Sequence, residues 1–564
     1  MTGGPDPACS TNRSWRALRW VRRAVQAVSL AVFVLLILAT ASMTGAGFDA
    51  ATSATVPYPV EAFLLIDPLV GLITLLGTGT IPKAMLLGLI TLGSALLLGR
   101  AFCGWICPLG TLNHVIGSIR SERRAVSRLE ANRTRPYQRI KYVVLASVLL
   151  AALFGSAVGG LLDPLSLLTR GLSQTLLPWI DHAAGGAMTG AAESGVPALR
   201  KASDGLFDAL GGLLVHQRNM LVGGGFLGTL LFAAVLVANR WIFRFWCRGL
   251  CPLGALLGAS GRFGVLSLRK DAAACSGCNR CQMECSGAAS PKPGEPWHRA
   301  ECDLCLNCVA VCPDDALAFG LVGRPVDERS WPDAGRRAVI AGAAAGALLV
   351  PALRSGALTG AAGRPHPDCI RPPGALGEDQ FLSRCIRCGQ CIKICPNNAL
   401  HPALHEAGIE GLWTPILVPR TGYCEPSCTL CTQVCPTAAL RRVTEAQKTG
   451  KDAAEMVRIG TAFFDQGRCL PWAMGTPCTV CEEFCPTSPK AIWFEEVDVP
   501  TREGATVRVK RPYVDPSRCN GCGACEFVCP VHDRAAIRVS SAGETRNPGN
   551  SLLLVEVPRR KKQL

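Results

Sequence analysis

Long apolar runs with almost no charge alternate with polar, cysteine-rich stretches along this chain of 564 residues. Four such runs, at residues 24–46, 84–99, 142–162 and 219–239, are each close to the roughly 20 residues that a helix needs to cross a bilayer. We therefore predict four transmembrane helices. A cleaved signal peptide is the alternative for the first run, but its length and the later runs favour a membrane anchor.

The arginines around these runs predict the orientation of the chain, because short cytoplasmic loops collect Lys and Arg. Five arginines precede the first run, residues 120–141 between the second and third are strongly basic, and three arginines follow the fourth. The segment between the first two runs contains no arginine. We therefore expect a cytoplasmic amino terminus. The formal charge of +16 is mostly a topology signal, and we expect no nucleic-acid partner.

The membrane part contains an internal duplication. FCGWICPLG at 102–110 and FWCRGLCPLG at 245–254 share a Cys-x3-Cys-Pro-Leu-Gly motif, and an arginine precedes each motif by three residues. LLIDPLVGL at 64–72 and GLLDPLSLL at 160–168 are repeated in the same way. Each half therefore predicts one helical hairpin, with both thiol pairs at the cytoplasmic edge around a pseudo-twofold axis. Residues 170–218, rich in Gly and Ala, indicate an insertion in the second outer loop.

Asp67 and Asp163 hold equivalent places in the two halves, each directly before a proline. Aspartate followed by proline is a good start for a helix, and this capping role is the favoured interpretation. The alternative hypothesis is that the two carboxylates accept protons from a quinol at the outer face of the membrane.

The duplicated thiol pairs are Cys103 with Cys107 and Cys247 with Cys251. Positions four apart lie on one face of a helix, so the four thiolates could bind one metal or form redox-active pairs. The alternative is that they are small buried residues at helix ends, where proline redirects the chain. The repetition of the whole motif favours a function, whose chemistry the sequence leaves open.

Six groups of four cysteines follow the duplication. They are Cys275, Cys278, Cys281 and Cys285; Cys302, Cys305, Cys308 and Cys312; Cys385, Cys388, Cys391 and Cys395; Cys424, Cys428, Cys431 and Cys435; Cys469, Cys478, Cys481 and Cys485; and Cys519, Cys522, Cys525 and Cys529. Of the 30 cysteines, only Cys9 and Cys369 belong neither to these groups nor to the thiol pairs. In Cys-x2-Cys-x2-Cys three thiolates hold one cubane, and the fourth cysteine ligates its neighbour. Zinc sites and disulfide frameworks have other spacings, so we predict six [4Fe-4S] clusters.

The ligand exchange also predicts which groups pair. In the first two groups, Cys312 should complete the first cluster and Cys285 the second. In the later four groups the first and last share the tight spacing, so we expect these outer groups to pair and the two inner groups likewise. Sequential pairing is the alternative. The sequence around the last group predicts strand, cluster loop, short helix and strand, which is half of a ferredoxin fold.

Several other cofactors have no support in the sequence. No Cys-x-x-Cys-His motif is present, and no histidine lies within an apolar run, so we expect no haem. No G-x-G-x-x-G follows a strand and no phosphate-binding loop is present, so we expect no flavin or nicotinamide site. The pattern predicts a chain that conducts electrons and lacks a substrate site of its own.

Two stretches resemble known families. The paired Cys-x3-Cys-Pro spans followed by eight cluster cysteines resemble the NapH-type membrane polyferredoxins and the MauN proteins of methylamine utilisation. From Ile370 onward, IRPPGALGEDQFLSRCIRCGQCIKICP and the three cysteine groups after it resemble the NapG/MauM ferredoxins. The first group departs from the usual motif, because CQMECSG lacks a proline after its fourth cysteine. The flavin domain of the related nitrous-oxide regulators and the β-sandwich of cytochrome-oxidase assembly relatives are also absent.

Residues 336–353, RRAVIAGAAAGALLVPAL, join the two resemblances. The pair Arg336-Arg337 before an Ala/Gly run resembles the twin-arginine signal with which NapG-type ferredoxins are exported. Its apolar stretch of 16 residues is shorter than a standard span, so an Ala-rich linker is the alternative. Cluster cysteines threaded unfolded into an oxidising compartment would meet disulfide chemistry, which favours export of a folded module.

Together these patterns predict a membrane α-helical bundle of four spans plus a fifth, with α+β bacterial-type ferredoxin domains. The predicted domains are a membrane domain at 1–265, a cytoplasmic two-cluster ferredoxin at 266–325, the fifth apolar segment at 326–360 and a four-cluster ferredoxin module at 361–564, periplasmic or extracytoplasmic. The resemblance implies an inner-membrane quinol dehydrogenase component that moves electrons between the quinol pool and an extracytoplasmic redox enzyme or cytochrome, as a nitrate-reductase-type accessory. The alternative is a metal-handling or maturation factor, for example in copper reduction, that uses the Cys-x3-Cys-Pro thiols.

Overall fold

The computed structural model describes residues 13–45, 56, 58–119, 125–214, 223–239, 241–321, 336–354, 366–450, 456–500 and 506–550. Cys9, the start of the fourth apolar run at 219–222, and residues 326–335 and 355–360 of the predicted fifth segment lie outside these ranges.

The amino-terminal part consists of helices joined by turns, with no strand among its described residues up to Gly261. Its helices are α1 (Arg13–Gly45), α2 (Ala62–Leu65), α3 (Pro68–Thr78), α4 (Gly88–Leu98), α5 (Ala101–Trp105), α6 (Pro108–Ile119), α7 (Ala125–Ala131), α8 (Ile140–Leu153), α9 (Pro164–Gly171), α10 (Leu177–Glu193), α11 (Pro197–Leu214), α12 (Gly223–Ala238) and α13 (Pro252–Gly261). The Gly/Ala-rich insertion forms the helices α10 and α11, which pack against each other.

A helix occupies each of the four apolar runs, but the helices differ in length. Within the described residues, only Trp15–Thr40 of α1 is long and apolar enough to cross a membrane by length and composition. The other three helices have 11, 14 and 16 residues. Two of the runs are divided: a 3₁₀ turn at Lys83–Leu87 precedes α4, and another at Ala157–Leu161 follows α8. The four-span bundle therefore stays a prediction.

The first two cysteine groups form a small α+β unit. It consists of β1 (Leu266–Lys270), α14 (Arg280–Met283), α15 (Asn307–Ala310) and β2 (Leu317–Leu321). β1 and β2 pair antiparallel, with Leu268 opposite Phe319. The two cluster loops and their short helices lie between these strands in the chain, as in a two-cluster ferredoxin.

The later module contains three separate two-stranded sheets. Its elements, after the joining helix α16 (Arg336–Arg354), are α17 (Glu378–Leu382), α18 (Gln390–Lys393), β3 (Leu400–Pro402), β4 (Pro415–Leu417), α19 (Leu430–Gln433), α20 (Glu445–Thr449), β5 (Thr461–Phe464), α21 (Val480–Glu483), β6 (Ile492–Pro500), β7 (Thr506–Val514), α22 (Ala524–Phe527) and β8 (Ile537–Ser540). The sheets are β3–β4, β5–β8 and β6–β7, all antiparallel. The predicted strand, loop, helix and strand around the last group are present as β7, α22 and β8. The two strands do not pair with each other: β7 pairs with β6, and β8 pairs with β5.

The two cysteine-rich parts lie at opposite ends of α8. Near the beginning of this helix, Lys141 forms a buried ion pair with Glu301 of the first unit. Just beyond its end, the carbonyl oxygen of Ala157 accepts a hydrogen bond of 2.8 Å from Arg387 of the later module. A helix of 14 residues is about 21 Å long, so α8 separates the two contacts by roughly that distance.

The joining helix α16 packs along α8 in the same direction. A Cβ at Gly342 would stand 2.5 Å from the Val143 side chain, and one at Gly346 would stand 2.3 Å from the backbone oxygen of Ser147. Glycines spaced four apart allow helix backbones to approach closely, as in membrane helix pairs. α16 therefore leads the chain from the end of α8 that holds the first unit towards the end that holds the later module.

Candidate functional site

In the first unit, the thiols that sequence reasoning assigned to one cluster lie together. Cys281 is close enough to Cys275, Cys278 and Cys312 for electrostatic interaction. The second set brings together Cys285, Cys302, Cys305 and Cys308. The fourth cysteine of each group thus lies with the other group, as the exchange rule predicts.

In the later module the expected pairing of outer with outer and inner with inner groups is wrong. The structure pairs consecutive groups instead, giving four sets of thiols. They are Cys385, Cys388, Cys391 and Cys435; Cys395, Cys424, Cys428 and Cys431; Cys469, Cys478, Cys481 and Cys529; and Cys485, Cys519, Cys522 and Cys525. The irregular spacing inside the middle groups is absorbed by local turns, such as the π-helical turn Leu470–Met474, so it does not dictate the partner.

Two of these sets enclose a cavity. One cavity is lined by Cys485, Cys519, Cys522 and Cys525, and another by Cys395, Cys424, Cys428 and Cys431. Backbone amides also point at the sulfurs of the fourth cysteines. These donors are Ala289 N to Cys285 Sγ at 3.2 Å, Ala399 N to Cys395 Sγ at 3.3 Å and Ala536 N to Cys529 Sγ at 3.3 Å. Space between four thiols and amides directed at sulfur both fit a cubane.

The environment of the thiols suits metal binding rather than free thiolates. Burial raises the pKa of Cys428 and of Cys522 to about 12. Without a cation these side chains are neutral, and a bound metal replaces the thiol proton. Among the described residues, no three Cys, His, Asp or Glu side chains converge closely enough for a single ion.

The four membrane thiols also form one buried group. Cys103, Cys107, Cys247 and Cys251 all lie within electrostatic range of one another. The two halves are interlocked by exchanged hydrogen bonds: Arg100 donates to the carbonyl oxygen of Cys247 at 3.3 Å, and Arg244 donates to that of Cys103 at 3.2 Å. The predicted pseudo-twofold meeting of the thiol pairs is thus present in the structure.

Two acidic residues that the sequence did not indicate connect this group to the first unit. The carboxylate of Glu301 accepts hydrogen bonds from Arg100, Lys141 and the Tyr142 hydroxyl. Asp303 pairs with Arg244, whose guanidinium holds the pKa of that buried carboxyl well below its usual range. Both flank a cluster cysteine at 302, and the arginine that precedes each thiol motif was the one signal that could have indicated acidic partners.

Asp67 and Asp163 cap helices α3 and α9, as the favoured interpretation predicts. Oδ1 of Asp67 accepts a hydrogen bond of 2.8 Å from the Leu69 amide, and Oδ2 of Asp163 accepts one of 2.7 Å from the Ser166 amide. Both residues are completely buried and their carboxyl groups face each other. The remaining oxygens lack a donor elsewhere in the described protein. Because two carboxylates repel unless one is protonated, we infer a shared proton.

The first cluster loop of the later module rests on this end of the helical part. Arg170 of α9 donates to the carbonyl oxygen of Arg387 at 3.1 Å, and Gln390 donates to that of Val60 at 3.2 Å. Cys388 is buried in the same apolar core as helices α3 and α9. The thiol set that contains Cys388 therefore packs directly against the helices that carry the aspartate pair.

A larger cavity, of about 970 Å³, lies at the opposite end, between the helical part and the first unit. His114, Trp241 and Phe243 form part of its wall, and Asn307 comes from the first unit. Nδ1 of His114 and Oδ1 of Asn307 are buried without a partner in the described protein. The cavity combines aromatic surface with unused polar atoms.

Comparison with known proteins gives two kinds of match. Residues 80–126 and 223–270 match one family model described as a 4Fe-4S binding domain, and residues 381–401 and 512–532 match a second model of the same description. The first model covers both Cys-x3-Cys-Pro motifs. No solved structure matches the chain.

Three curated relatives illustrate the similarity. The ferredoxin-type protein NapG of Escherichia coli (strain K12) is 37% identical over 172 residues, which are 30% of this chain and 69% of NapG. The methylamine utilization ferredoxin-type protein MauM of Methylorubrum extorquens is 37% identical over 217 residues, which are 36% of this chain and 90% of MauM. The putative electron transport protein YccM of E. coli is 27% identical over 337 residues, which are 57% of this chain and 79% of YccM.

Proposed function

Because this chain belongs to the family of ferredoxin-type proteins that includes NapG and MauM, we propose that it is a membrane-bound iron–sulfur protein that moves electrons from the quinol pool to an extracytoplasmic redox enzyme or cytochrome. The observation that carries the proposal is the contact between the first cluster loop of the later module and the helices that hold Asp67 and Asp163. Six [4Fe-4S] clusters, held by the 24 cysteines of the six groups, would supply the one-electron steps.

The aspartate pair has the chemistry to take protons from a quinol. A pair that already shares one proton has capacity for one more, and its two N-caps hold the carboxyls in place. Oxidation of a quinol releases two electrons and two protons. The carboxyl pair would accept one of the two protons and the other would pass to the aqueous phase at the outer face. The two electrons would leave one at a time through the thiol set that includes Cys388, which lies on the same side.

The placement of the two cysteine-rich parts supports a transmembrane arrangement. The first unit contacts the arginine-rich end of the helical part and the later module contacts the other end. The apolar stretch of α16, at residues 338–353, has 16 residues, about 24 Å of helix, which is a few ångströms less than the hydrocarbon thickness of a bilayer. Its surface away from α8 is exposed and apolar at Ile340, Leu348 and Leu349, as expected of a lipid-facing side. The later module is then extracytoplasmic and the first unit cytoplasmic.

Protease accessibility of the later module in spheroplasts tests this location. The intact protein should be cut outside the membrane. Replacing both Arg336 and Arg337 with Lys should leave the module protected if a twin-arginine signal exports it. A module that is protected in the unmodified protein would contradict the location.

Reduction by quinol tests the function itself. Purified, air-oxidised protein is mixed under anaerobic conditions with a reduced menaquinol or ubiquinol analogue, and low-temperature EPR records the clusters. Signals of reduced clusters should appear within the mixing time, and the oxidised quinone should form in proportion. No signal with either quinol would overturn the quinol link, while the iron–sulfur assignment would stand on iron and sulfide content.

The metal-handling alternative rests on the meeting of the four membrane thiols. It predicts one copper or other ion per chain at Cys103, Cys107, Cys247 and Cys251, and no reduction by quinol. Metal content of the purified protein separates the two functions.

A further inference from the structure

The buried thiol group of the membrane part resembles the cluster-binding sets elsewhere in the chain in one respect: four thiols from two segments of the chain lie together. Cys103 and Cys107 come from one segment and Cys247 and Cys251 from the other, and all four are within electrostatic range of one another. In the membrane group two thiols come from each half of the duplication. The site is therefore complete only when both halves meet.

Backbone amides point at these sulfurs as they do in the cluster loops. The amide of Gly254 donates to Cys251 Sγ at 3.2 Å, and the amide of Gly110 makes the equivalent contact to Cys107. The proline that follows Cys107 and Cys251 begins a new helix, so each thiol lies at a helix start, where free amides and the positive end of the helix dipole favour negative charge. Both features favour a bound anionic group over neutral thiols.

Buried positive charge exceeds buried negative charge around this site. The buried basic residues of the described helical part here are Arg22, Arg100, Lys141, Arg244 and Arg248, and the buried acids are Glu301 and Asp303. An unpaired buried cation is costly. A cluster with four thiolate ligands carries net negative charge, and it would offset part of this excess; a second such cluster, at the set of Cys285, lies next to it.

The thiol group is in direct contact with the loop that carries that neighbouring set. Gly104 lies against Asp303 so closely that a Cβ would stand 1.9 Å from the Asp303 carbonyl oxygen. The Trp105 indole donates to the carbonyl oxygen of Leu304 at 2.9 Å. The site thus lies between the first unit and the interior of the helical part.

From these observations we propose a seventh four-iron cluster, held between the two halves of the duplicated membrane part by Cys103, Cys107, Cys247 and Cys251. It exchanges one electron at a time with the neighbouring cluster of the first unit, so that one is oxidised as the other is reduced. The family model over both motifs describes a 4Fe-4S binding domain but assigns no ligand. The proposal concerns metal content and holds whether or not quinol is the electron donor.

The test uses the full chain purified anaerobically from cells grown on ⁵⁷Fe. Wild type is compared with Cys107→Ser, Cys251→Ser and the double variant, and with Cys369→Ser as the matched control, since Cys369 is a buried thiol outside every set. Iron and labile sulfide are measured per chain, and Mössbauer spectra give the cluster type. Seven clusters correspond to about 28 irons, and six to about 24.

We expect each single variant to lose one seventh of the iron and sulfide, and the double variant to lose no more, because both cysteines belong to one site. Cys369→Ser should lose none. Unchanged iron with the loss of one copper or zinc per chain would overturn the proposal in favour of a single ion. Unchanged iron with reactive or disulfide-bonded thiols would overturn it in favour of a redox pair, and additive losses would indicate two sites.

Native mass spectrometry of the wild type gives the same answer without any substitution, so a variant that fails to fold does not decide the matter. A mass corresponding to seven clusters supports the proposal and one corresponding to six opposes it. The iron at the seventh site is the difference between the wild type and the variant. Incomplete filling of the other six sites lowers both values equally and leaves this difference unchanged.

Discussion

The guanidinium of Arg244, in one half of the duplicated helical part, donates a hydrogen bond of 3.2 Å to the carbonyl oxygen of Cys103 in the other half. Arg100 makes the reciprocal contact to Cys247 at 3.3 Å. Each arginine also pairs with a buried acid of the first unit, Glu301 for Arg100 and Asp303 for Arg244. Arg100 and Arg244 therefore hold together three parts of the molecule: both halves of the duplication and the first ferredoxin unit.

Replacing either arginine should loosen this joint, but by different amounts. Arg244→Gln leaves Asp303 buried without its ion partner, which costs about 3–5 kcal/mol of stability. Arg100→Gln should cost less, because Lys141 still pairs with Glu301. Limited proteolysis and urea unfolding of the purified protein would measure both. Arg508→Gln, at an exposed ion pair on β7, is the control and should leave stability nearly unchanged.

Asp67→Asn and Asp163→Asn should each slow reduction of the clusters by quinol. Asparagine caps a helix as well as aspartate does, so the fold should be preserved while one of the two proton-accepting carboxyls is lost. In stopped-flow measurements we expect the rate to fall by up to about 100-fold, which is the lower end of the effect of losing a general base. Equal rates in the variants and the wild type would leave only the capping role.

His114→Ala distinguishes between two candidate quinol sites: the aspartate pair and the cavity at the opposite end of the helical part. If quinol instead binds in the cavity of about 970 Å³, this substitution should raise the quinol concentration needed for half-maximal rate. The aspartate variants would then have no effect on the rate. With quinol at the aspartate pair, His114→Ala should leave the kinetics unchanged.

Sequential pairing in the later module predicts which cysteines share a spectroscopic signal. Cys391→Ser and Cys435→Ser should remove the same EPR signal, since both thiols belong to one set. Cys529→Ser should remove a different one, together with Cys481→Ser. If Cys391→Ser and Cys529→Ser remove the same signal, the result would contradict sequential pairing and support the pairing of the two outer groups.

Much of the site followed from local sequence, and the rest depended on contacts far apart in the chain. The capping by Asp67 and Asp163 and the exchange of Cys285 and Cys312 are set within short segments, and the spacing indicated both. The similarity to NapG and MauM is confirmed by the curated relatives, whereas that to the NapH and MauN proteins stays a prediction.

The spacing of residues within short segments did not indicate how the later cysteine groups pair, nor the roles of Glu301 and Asp303. Asp303 acquires its role from Arg244, 59 residues away, and Glu301 from Lys141, 160 residues away. No local pattern encodes such partners, because they depend on how the first unit docks on the helices. The pairing of groups likewise depends on how β5 to β8 are arranged.

Gly346→Leu should disrupt the packing of α16 on α8. A Cβ at this position would stand 2.3 Å from the Ser147 carbonyl oxygen, so the helices would have to separate. We expect less intact protein in membranes and faster proteolysis between the two cysteine-rich parts. Ala344→Leu is the matched control, because Ala344 is exposed on the same helix and should tolerate the larger side chain.

Glu378 should stabilise the later module over the whole neutral range. Arg371 and Arg546 pair with its carboxylate, and they lower its pKa from 4.5 to about 2 against the opposing effect of burial. A lowered folded-state pKa gives stability that is complete above about pH 4.5 and is lost as pH falls towards 2. Glu378→Gln should therefore unfold more easily than the wild type by a constant margin from pH 8 to pH 5.

The expected margin is about 3 kcal/mol, because Arg371 is fully buried and would lose its ion partner. Asp498→Asn, at an exposed pair with Arg508, is the control and should have little effect at any pH. A margin that already shrinks between pH 8 and pH 6 would contradict the ionised state of Glu378.

The helix α16 makes the later module a tethered partner rather than a diffusing one. Two separate proteins must find each other by collision, and their output falls when either is diluted. A short covalent connection replaces this search with an effective concentration in the millimolar range. The surface between Arg387 and the helical part can then be weak in its own right and still remain occupied. The cell also loses the freedom to vary the ratio of the two parts, which is fixed at one to one when the chain is synthesised.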